Sequence, residues 1–488
     1  MKTKSDPIRI GLALCSILCA SFAASSANAQ SLPAASRPRI SLDEYLRQVE
    51  SQNEGFQRAA RAEEAFELRS QEWQLLTSPY FFGQAQTGSD RKETSSPSLM
   101  GNETRTQAFA LGVGQRTNFG LDAKLSYNFA NTEIKGADPS LMANPSFATT
   151  GPVAELTYSL WKNGFGREVR SNQEAQEANV LAQKYGEQFT QTQLRAQAEA
   201  AYWRLSVARE SVTATRESLE RAERSRDFMS RQARLELSDR AELLQSEAAV
   251  AARKMQSQQA LDEEASAARA FNTIRGIESN EVPERLSVIN DDLIRSLNLP
   301  TRDQARADVR VAEQQARAAK ASSRSAGESS KPAVDLFLNA GLNGRDPATA
   351  TAISESLSTD HPNYAVGLKV NIPLQQGIAA RAREGYEIQA ESSDLAYRRK
   401  AYETEREWTD LNQRLGESRK RLDLARKLEE AQKAKLEAER SRLRRGRTTT
   451  YTVIQFEEDF ANAQLNRLRI EAEILGIYSQ LKTFGGLK

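Results

Sequence analysis

Two kinds of hydrophobic pattern alternate along the chain. Short segments alternate apolar and polar residues with the period of a half-buried strand, as Val366, Leu368 and Val370 do. The other segments are long and highly charged, and residues 377–445 contain no proline. At about 1.5 Å per residue, one continuous helix over that segment would be roughly 100 Å long. The pattern therefore predicts an elongated molecule rather than a compact domain.

The strand-like segments lie in two groups, at about 80–161 and about 333–373. In the second group Val334, Leu336 and Leu338 share one face, while Asp335 and Asn339 share the other. Such alternation suits a sheet with one apolar and one wet face. We count at least four strands and leave six open. Either number is too small for a single chain to close a membrane barrel, since the smallest barrels have about eight strands.

The apolar residues of the long helical segments form narrow stripes with charged flanks, which is the pattern of a coiled-coil seam. In the second long helix another stripe lies beside the first, so that helix can contact neighbours on two sides. The stripes consist of Leu205, Ala208, Val212, Leu219 and Ala222 in the first helix, and of Leu415, Leu422 and Ala425, with Leu424, Leu428 and Ala431 beside them, in the second.

The same order of segments occurs twice. A strand, a glycine turn and a charged helix from Leu156 are similar to those from Leu368, at an offset of about 210 residues. We therefore predict two structural repeats, residues 30–295 and 296–488. Each contains a helix, one group of strands and a long helical hairpin, the hairpins covering about 166–277 and about 377–484.

The first 29 residues have the pattern of a secretory signal peptide. A basic start precedes an apolar run at about 10–24 and a small-residue cleavage site, Ala27–Ala29. The alternative is an uncleaved membrane anchor. Cys15 and Cys19 both lie in this segment, so the predicted mature chain has no disulfide and no thiol chemistry. Without the segment's three cations and one anion the chain is formally neutral, which argues against nucleic-acid binding.

The patterns together predict a conduit. No other apolar run reaches the roughly 18 residues of a spanning helix, so any membrane span must be built from strands. An open strand edge cannot face lipid, so several copies would have to share one closed sheet. The long helices would continue from it as a tube. The residues do not identify the cargo.

The mature sequence resembles the TolC-like outer membrane efflux protein family along nearly its whole length. The matching segments are SLDEYLRQVESQNEGFQRAARAEEA, AEAAYWRLSVARE, NIPLQQGIAARA and RLRRGRTTTYTVIQFE. The resemblance implies a mainly α fold with a membrane β-barrel. In detail it implies a homotrimer whose 12-stranded barrel, with about four strands per chain, continues into a long periplasmic α-helical coiled-coil barrel.

The resemblance also implies a function. The protein would be a passive outer membrane channel, the exit duct of a tripartite efflux or type I secretion system. Its partners would be two further copies, a periplasmic adaptor (membrane fusion) protein, an inner-membrane transporter and outer membrane lipid. Its location would be the cell outer membrane, with a long periplasmic extension.

The tip of the second hairpin departs from the family pattern. Family members often carry paired aspartates there, and alignment on Gly446 places those positions at Thr452 and Gln455. The acidic gate is therefore not carried over. The tip instead contains Arg440, Arg442, Arg444, Arg445 and Arg447.

This arginine cluster has two interpretations. Repeated in a ring, it would repel cations and attract anions at the tunnel mouth. The alternative is a solvated face that pairs with Glu437 and Glu439 or docks an acidic adaptor.

The tip of the first hairpin has Glu236 where the second has glycine, and Ser238 and Asp239 resemble the cap of the returning helix. We expect both tips to form the tunnel entrance and the adaptor-docking surface. The predicted residues are Glu236, Ser238, Asp239, Arg442, Arg445, Gly446, Arg447, Thr452 and Gln455.

No motif for catalysis stands out. His361 is the single histidine, and no phosphate-binding glycine loop and no marked carboxylate pair occur. We predict no enzymatic activity, no cofactor and no metal site. The alternative function is a non-conducting periplasmic coiled-coil scaffold of the envelope, but a scaffold has no use for strands with one apolar face.

Overall fold

The computed structural model describes residues 38–235, 239–302 and 304–485, so the predicted signal peptide lies outside the described residues. The helices are α1 (Leu42–Gln52), α2 (Glu54–Leu68), α3 (Pro97–Met100), α4 (Arg167–Arg234), α5 (Arg240–Arg275), α6 (Asp291–Ser296), α7 (Ala307–Ser329), α8 (Thr349–Glu355), α9 (Gln376–Arg444) and α10 (Thr450–Lys482). The strands are β1 (Tyr80–Asp90), β2 (Glu103–Arg116), β3 (Leu121–Lys135), β4 (Ser146–Ser159), β5 (Ala333–Leu342), β6 (Gly344–Asp346) and β7 (Pro362–Asn371).

Two very long helices determine the shape of the chain. The predicted helix over residues 377–445 is confirmed, because α9 has 69 residues. Helix α4 has 68 residues, so each helix is about 100 Å long at 1.5 Å per residue. Both are rich in Ala, Glu, Gln and Arg and contain no proline, which explains why neither breaks.

The helices pack side by side in a fixed order. Next to the sheet the order is α2, α4, α7, α9; towards the far ends of α4 and α9 it is α5, α4, α10, α9. The predicted seam residues Leu205, Leu415 and Leu422 are fully buried in these contacts. Leu424 and Leu428, in the second stripe of α9, are exposed in the single chain.

One antiparallel sheet contains all the strands. Its order is β1-β2-β3-β4-β5-β7, and the short β6 pairs with β4. The described residues therefore form six long strands, the number left open in the count from the sequence, and not the four per chain that the family resemblance implies. The extra pair is the β2–β3 hairpin, whose turn at residues 117–120 includes Gly120 with a φ of 91°.

The sheet has one apolar face. Directly paired residues of antiparallel strands point to the same side. One such row crosses the sheet as Phe81, Val113, Leu125, Ala154, Ala340 and Tyr364. The neighbouring row on the opposite face is Tyr80, Gly114, Lys124, Glu155, Asn339 and Ala365. The predicted separation of Leu336 from Asp335 and Asn339 is thereby confirmed.

The main core lies about midway along the helices, where α1, α4, α5 and α10 meet. Tyr45 stacks on Phe271 with ring centroids 4.0 Å apart, and the hydroxyl of Tyr202 donates to the carbonyl of Ile40 at 2.9 Å. Ile474 and Leu475 are fully buried beside them. In the described part of the chain no helix has both the length and the apolarity needed to cross a membrane.

Candidate channel entrance at the helical tips

The tip of the second hairpin is a tight turn that needs glycine. After the last turn of α9, Gly446 adopts a φ of 67°. Its N–H donates to the carbonyl of Leu443 at 2.9 Å, and the N–H of Arg447 donates to the carbonyl of Arg442 at 3.0 Å. These two bonds are those of a Schellman cap, which satisfies the last carbonyls of the helix. Gly446 and Arg447 therefore lie at the turn between α9 and α10.

The returning helix begins with a threonine cap. The hydroxyl of Thr449 accepts a hydrogen bond from the N–H of Thr452 at 3.4 Å. Thr452 is half-buried in this cap, whereas Gln455, one turn later, is exposed. The two positions that carry acids in many family members are thus neutral, and one of them serves the helix start.

The first hairpin ends at the same end of the molecule. Helix α4 ends at Arg234, and Asp239 caps α5 by accepting from the N–H of Ala241 at 3.4 Å. The predicted cap role of Asp239 is confirmed, while Glu236 and Ser238 lie outside the described residues. The hydroxyl of Thr450 donates to Sδ of Met229 at 2.9 Å, which ties the start of α10 to the end of α4.

The arginines of the second tip divide into two groups. Arg440 pairs with Glu457 of α10 at 2.6 Å, and Arg442 pairs with Glu439 of its own helix at 3.2 Å. Among the described residues, Arg444, Arg445 and Arg447 form no ion pair with a carboxylate. These three exposed guanidinium groups are the net positive charge that the tip presents to solvent.

A buried charge cluster behind the tip escaped the sequence reasoning. Glu457 is 5% exposed and lies on α10 between the core residues Val453 and Phe460. Arg221 of α4 has its guanidinium 5.3 Å from the ring centroid of Phe460, and burial lowers the pKa of Arg221 although the Glu457 carboxylate raises it in part. A glutamate at a seam position is the signal that could have indicated this cluster.

The cluster brings together charges from three helices near the tips. Glu457 of α10 forms an ion pair with Arg440 of α9, and its charge also acts on the buried Arg221 of α4, which itself pairs with Glu217 of the same helix at 3.7 Å. In the low dielectric of a helix interface such a carboxylate is important, because two like charges would otherwise face each other. The arrangement can hold the second hairpin against the first.

Comparison with known proteins identifies the architecture. Residues 302–486 match the family model of outer membrane efflux proteins. The outer-membrane channel OprN has 18% sequence identity and a TM-score of 0.63, with 91% of this chain and 90% of OprN covered. CusC has 15% identity and a TM-score of 0.64, with 91% and 92% covered.

The outer membrane channel CmeC of Campylobacter jejuni has 14% identity and a TM-score of 0.63, with 91% of this chain and 85% of CmeC covered. No individually curated protein matches the sequence significantly. At such low identity the solved structures establish a shared fold over nearly the whole chain. They say nothing about cargo.

Proposed function

We propose that this chain, whose residues 302–486 match the family model of outer membrane efflux proteins, is the passive exit duct of a tripartite efflux or type I secretion system. The protein resides in the outer membrane, and its helical part extends into the periplasm. Its partners in the proposal are a periplasmic adaptor and an inner-membrane transporter, which supplies the energy.

The continuous apolar face of the sheet carries the proposal. Six strands present apolar side chains on one side and residues such as Lys124, Glu155 and Asn339 on the other. A sheet of this kind can separate lipid from water. The chain passes from its strands directly into helices about 100 Å long that are charged over most of their surface. A coiled-coil scaffold without a pore would also contain long helices, but it would have no use for the apolar face of the sheet.

We further propose a ring of three copies. The α2 side of the chain exposes Leu68 and Leu75, and the α9 side exposes Ile378 and Leu395. These flanks differ, so their contact is head-to-tail, and a head-to-tail contact closes into a ring if the rotation permits. The number three comes from the family resemblance.

The two halves of the chain, 30–295 and 296–488, are in this proposal repeats of one ancestral unit.

The tips are the proposed entrance and adaptor-docking surface. Arg444, Arg445 and Arg447 give each copy an unpaired positive group, and three copies give a positive ring. This ring would favour anions at the mouth and an acidic surface on the adaptor.

Planar-bilayer recording tests the proposal. We expect the purified trimer to conduct steadily, with a reversal potential in a salt gradient that indicates anion preference. The variant R444A/R445A/R447A should lose that preference, whereas R442A, which removes an arginine already paired with Glu439, should retain it. A folded trimer that shows no conductance would contradict the duct and favour the scaffold, provided that the variant R440A, which removes the ion pair between Arg440 and Glu457, does not conduct either.

A further inference from the structure

The sheet of this chain has six long strands, whereas the helical layer next to it has four helices. Four strands are each next in the chain to one helix of the layer: β1 follows α2 after a 3-10 helix at Arg69–Leu76, β4 precedes α4, β5 follows α7 and β7 precedes α9. Their order across the sheet is the order of those four helices. The hairpin β2–β3 lies between β1 and β4 and has no helix of its own. It adds two strands to each copy.

This hairpin is part of the wall and is not a loop folded away from it. Strand β2 pairs with β1 from Tyr80–Gly114 to Asp90–Thr104, and β3 pairs with β4 from Leu121–Tyr158 to Glu133–Ser146. Its outward residues continue the apolar face without a break. They are Phe109, Leu111 and Val113 of β2, and Leu125 and Phe129 of β3.

The turn of the hairpin is seated on the start of α4. The N–H of Ser159 donates to the carbonyl of Gly120 at 3.1 Å, and Nη1 of Arg170 donates to the carbonyl of Asn118 at 3.4 Å. The hairpin turn and the start of α4 are so close at Gly166 that no side chain fits there, because a Cβ at this position would come within 1.9 Å of the carbonyl oxygen of Asn118. The contact fixes the hairpin above the helical layer.

The outermost strands leave two long unpaired edges. Within the described residues, β1 and β7 each have a partner on one side only, and they span 11 and 10 residues. Neither edge is covered by a helix, and the outward residues Phe81, Val366 and Leu368 are exposed. Because β1 runs away from the helices and β7 runs towards them, the two edges can pair antiparallel. Within lipid such edges must be paired.

We propose that the β1 edge of one copy pairs with the β7 edge of the next, so that the trimer closes a barrel of 18 strands with the β2–β3 hairpin in its wall. The inference rests on the proposed trimeric duct and replaces the 12 strands that the family resemblance implied. Strands about 4.8 Å apart and tilted by about 40° occupy about 6.3 Å of circumference each, so six occupy about 38 Å.

The helical layer has the same width. Four helices spaced by about 9.5 Å also occupy about 38 Å per copy, so an 18-stranded wall continues the helical tube without narrowing. Its backbone diameter would be about 36 Å, compared with about 24 Å for 12 strands of the same tilt. The entrance at the tips, rather than the membrane part, would then limit the size of the cargo.

Cysteine cross-linking of the assembled protein tests the seam. Residues 30–488 contain no cysteine, so introduced thiols are the only ones. We pair F81C with V366C, L368C or V370C in the same chain, because opposed strand residues are close enough for a disulfide. The two positions of each variant lie on opposite edges of one sheet. Oxidation should therefore join separate copies and give covalent dimers and trimers on a denaturing gel.

Two comparisons make the result decisive. F81C/V113C pairs neighbouring strands of one chain and should close without any change in assembly mass. L125C with the same β7 partners should not join copies. Covalent trimers through L125C would mean that β3 forms the seam and the wall has 12 strands, which would overturn the inference and leave the duct intact.

Absence of any joined species, with F81C/V113C closing normally, would also overturn the 18-stranded wall. Native mass measurement then separates the two proposals, since a monomer contradicts the ring itself and a trimer contradicts only this seam. Electron cryomicroscopy of the wild-type trimer gives an independent answer, because 18 strands support the inference and 12 refute it.

Discussion

At the scale of single residues, Gly446 has a conformation that other residues adopt only with strain. Its φ of 67° lies in the left-handed region, and a Cβ built there would meet nothing within 4 Å. The effect of G446A is therefore almost purely conformational, and we expect it to destabilise the tip by about 1–2 kcal/mol. Faster amide exchange in the last turn of α9 would show this.

The matched control is Gly416, which lies inside α9, has an ordinary helical φ and also has open space around its Cβ. G416A should stabilise the helix by about 0.5–1 kcal/mol, because alanine is the better helix former. If G446A and G416A changed exchange in the same direction, the capping role assigned to Gly446 would be wrong.

A buried ion pair gives a second prediction at the residue scale. Asp308 accepts hydrogen bonds from Arg306 at 2.8 Å and pairs with Lys400 at 2.8 Å, and both Arg306 and Asp308 have side chains less than a tenth exposed. Burial would raise the pKa of Asp308, but the bonds and charges of Arg306 and Lys400 outweigh it and keep that pKa below its usual value. D308N should cost about 1–3 kcal/mol at neutral pH, since it removes one of the two carboxylates that pair with the buried Arg306, the other being Glu407 at 2.9 Å.

The pH dependence of D308N follows from that lowered pKa. The pair is fully stabilising above the unfolded-state pKa of about 3.9, and its contribution is lost as the pH falls through the lower folded-state pKa. The difference in denaturant midpoint between D308N and wild type should therefore be constant between pH 7 and pH 5 and should decrease as the pH falls below about 3.9. E405Q is the control, because the Glu405–Arg302 pair is largely exposed and should contribute about 1 kcal/mol or less throughout this pH range.

At the scale of elements, the charge cluster behind the tip gives a prediction about the proposed entrance. E457Q keeps the size of the side chain but removes the negative charge between Arg440 and Arg221. We expect the second hairpin to be less tightly held, at a cost of about 1–3 kcal/mol. Single-channel conductance or open probability should rise several-fold. R442A, which disrupts a pair within α9 only, should change neither.

The elements differ in how far the sequence could predict them. The long helices have a local cause, because unbroken runs of helix formers with a seam stripe allow few other structures. The strands around Leu111 and Leu125 were visible as alternating segments, but a strand's partner is not encoded locally. The alternating segments alone allowed four to six strands, whereas the four implied by the family resemblance leave out the β2–β3 hairpin. The Arg221–Glu457–Arg440 cluster was missed because its members lie on three helices and meet only after packing.

At the scale of the whole molecule, the exposed stripe of α9 predicts the seam between copies below the sheet. In this part of the chain α5 and α9 are the two outermost helices, so α9 of one copy would meet α5 of the next. At 1.5 Å per residue, Leu428 lies about 24 Å from the tip end of α9 and Met255 about 23 Å from the tip end of α5. Leu424 and Leu261 both lie about 30 Å from their tips. All four side chains are exposed in the single chain.

Opposite charges placed at these heights test the assembly. Because each copy would lose about 1.5–3 kcal/mol of apolar burial, L428E should convert much of the trimer to monomer in detergent. M255K should do the same, and the combined variant L428E/M255K should restore trimers, since the new charges attract across the seam. L357E, which alters an exposed leucine beyond α8 at the other end of the sheet, should remain trimeric. Native mass spectrometry measures the oligomeric state of all four variants. A double variant that stays monomeric would contradict the pairing of α9 with α5.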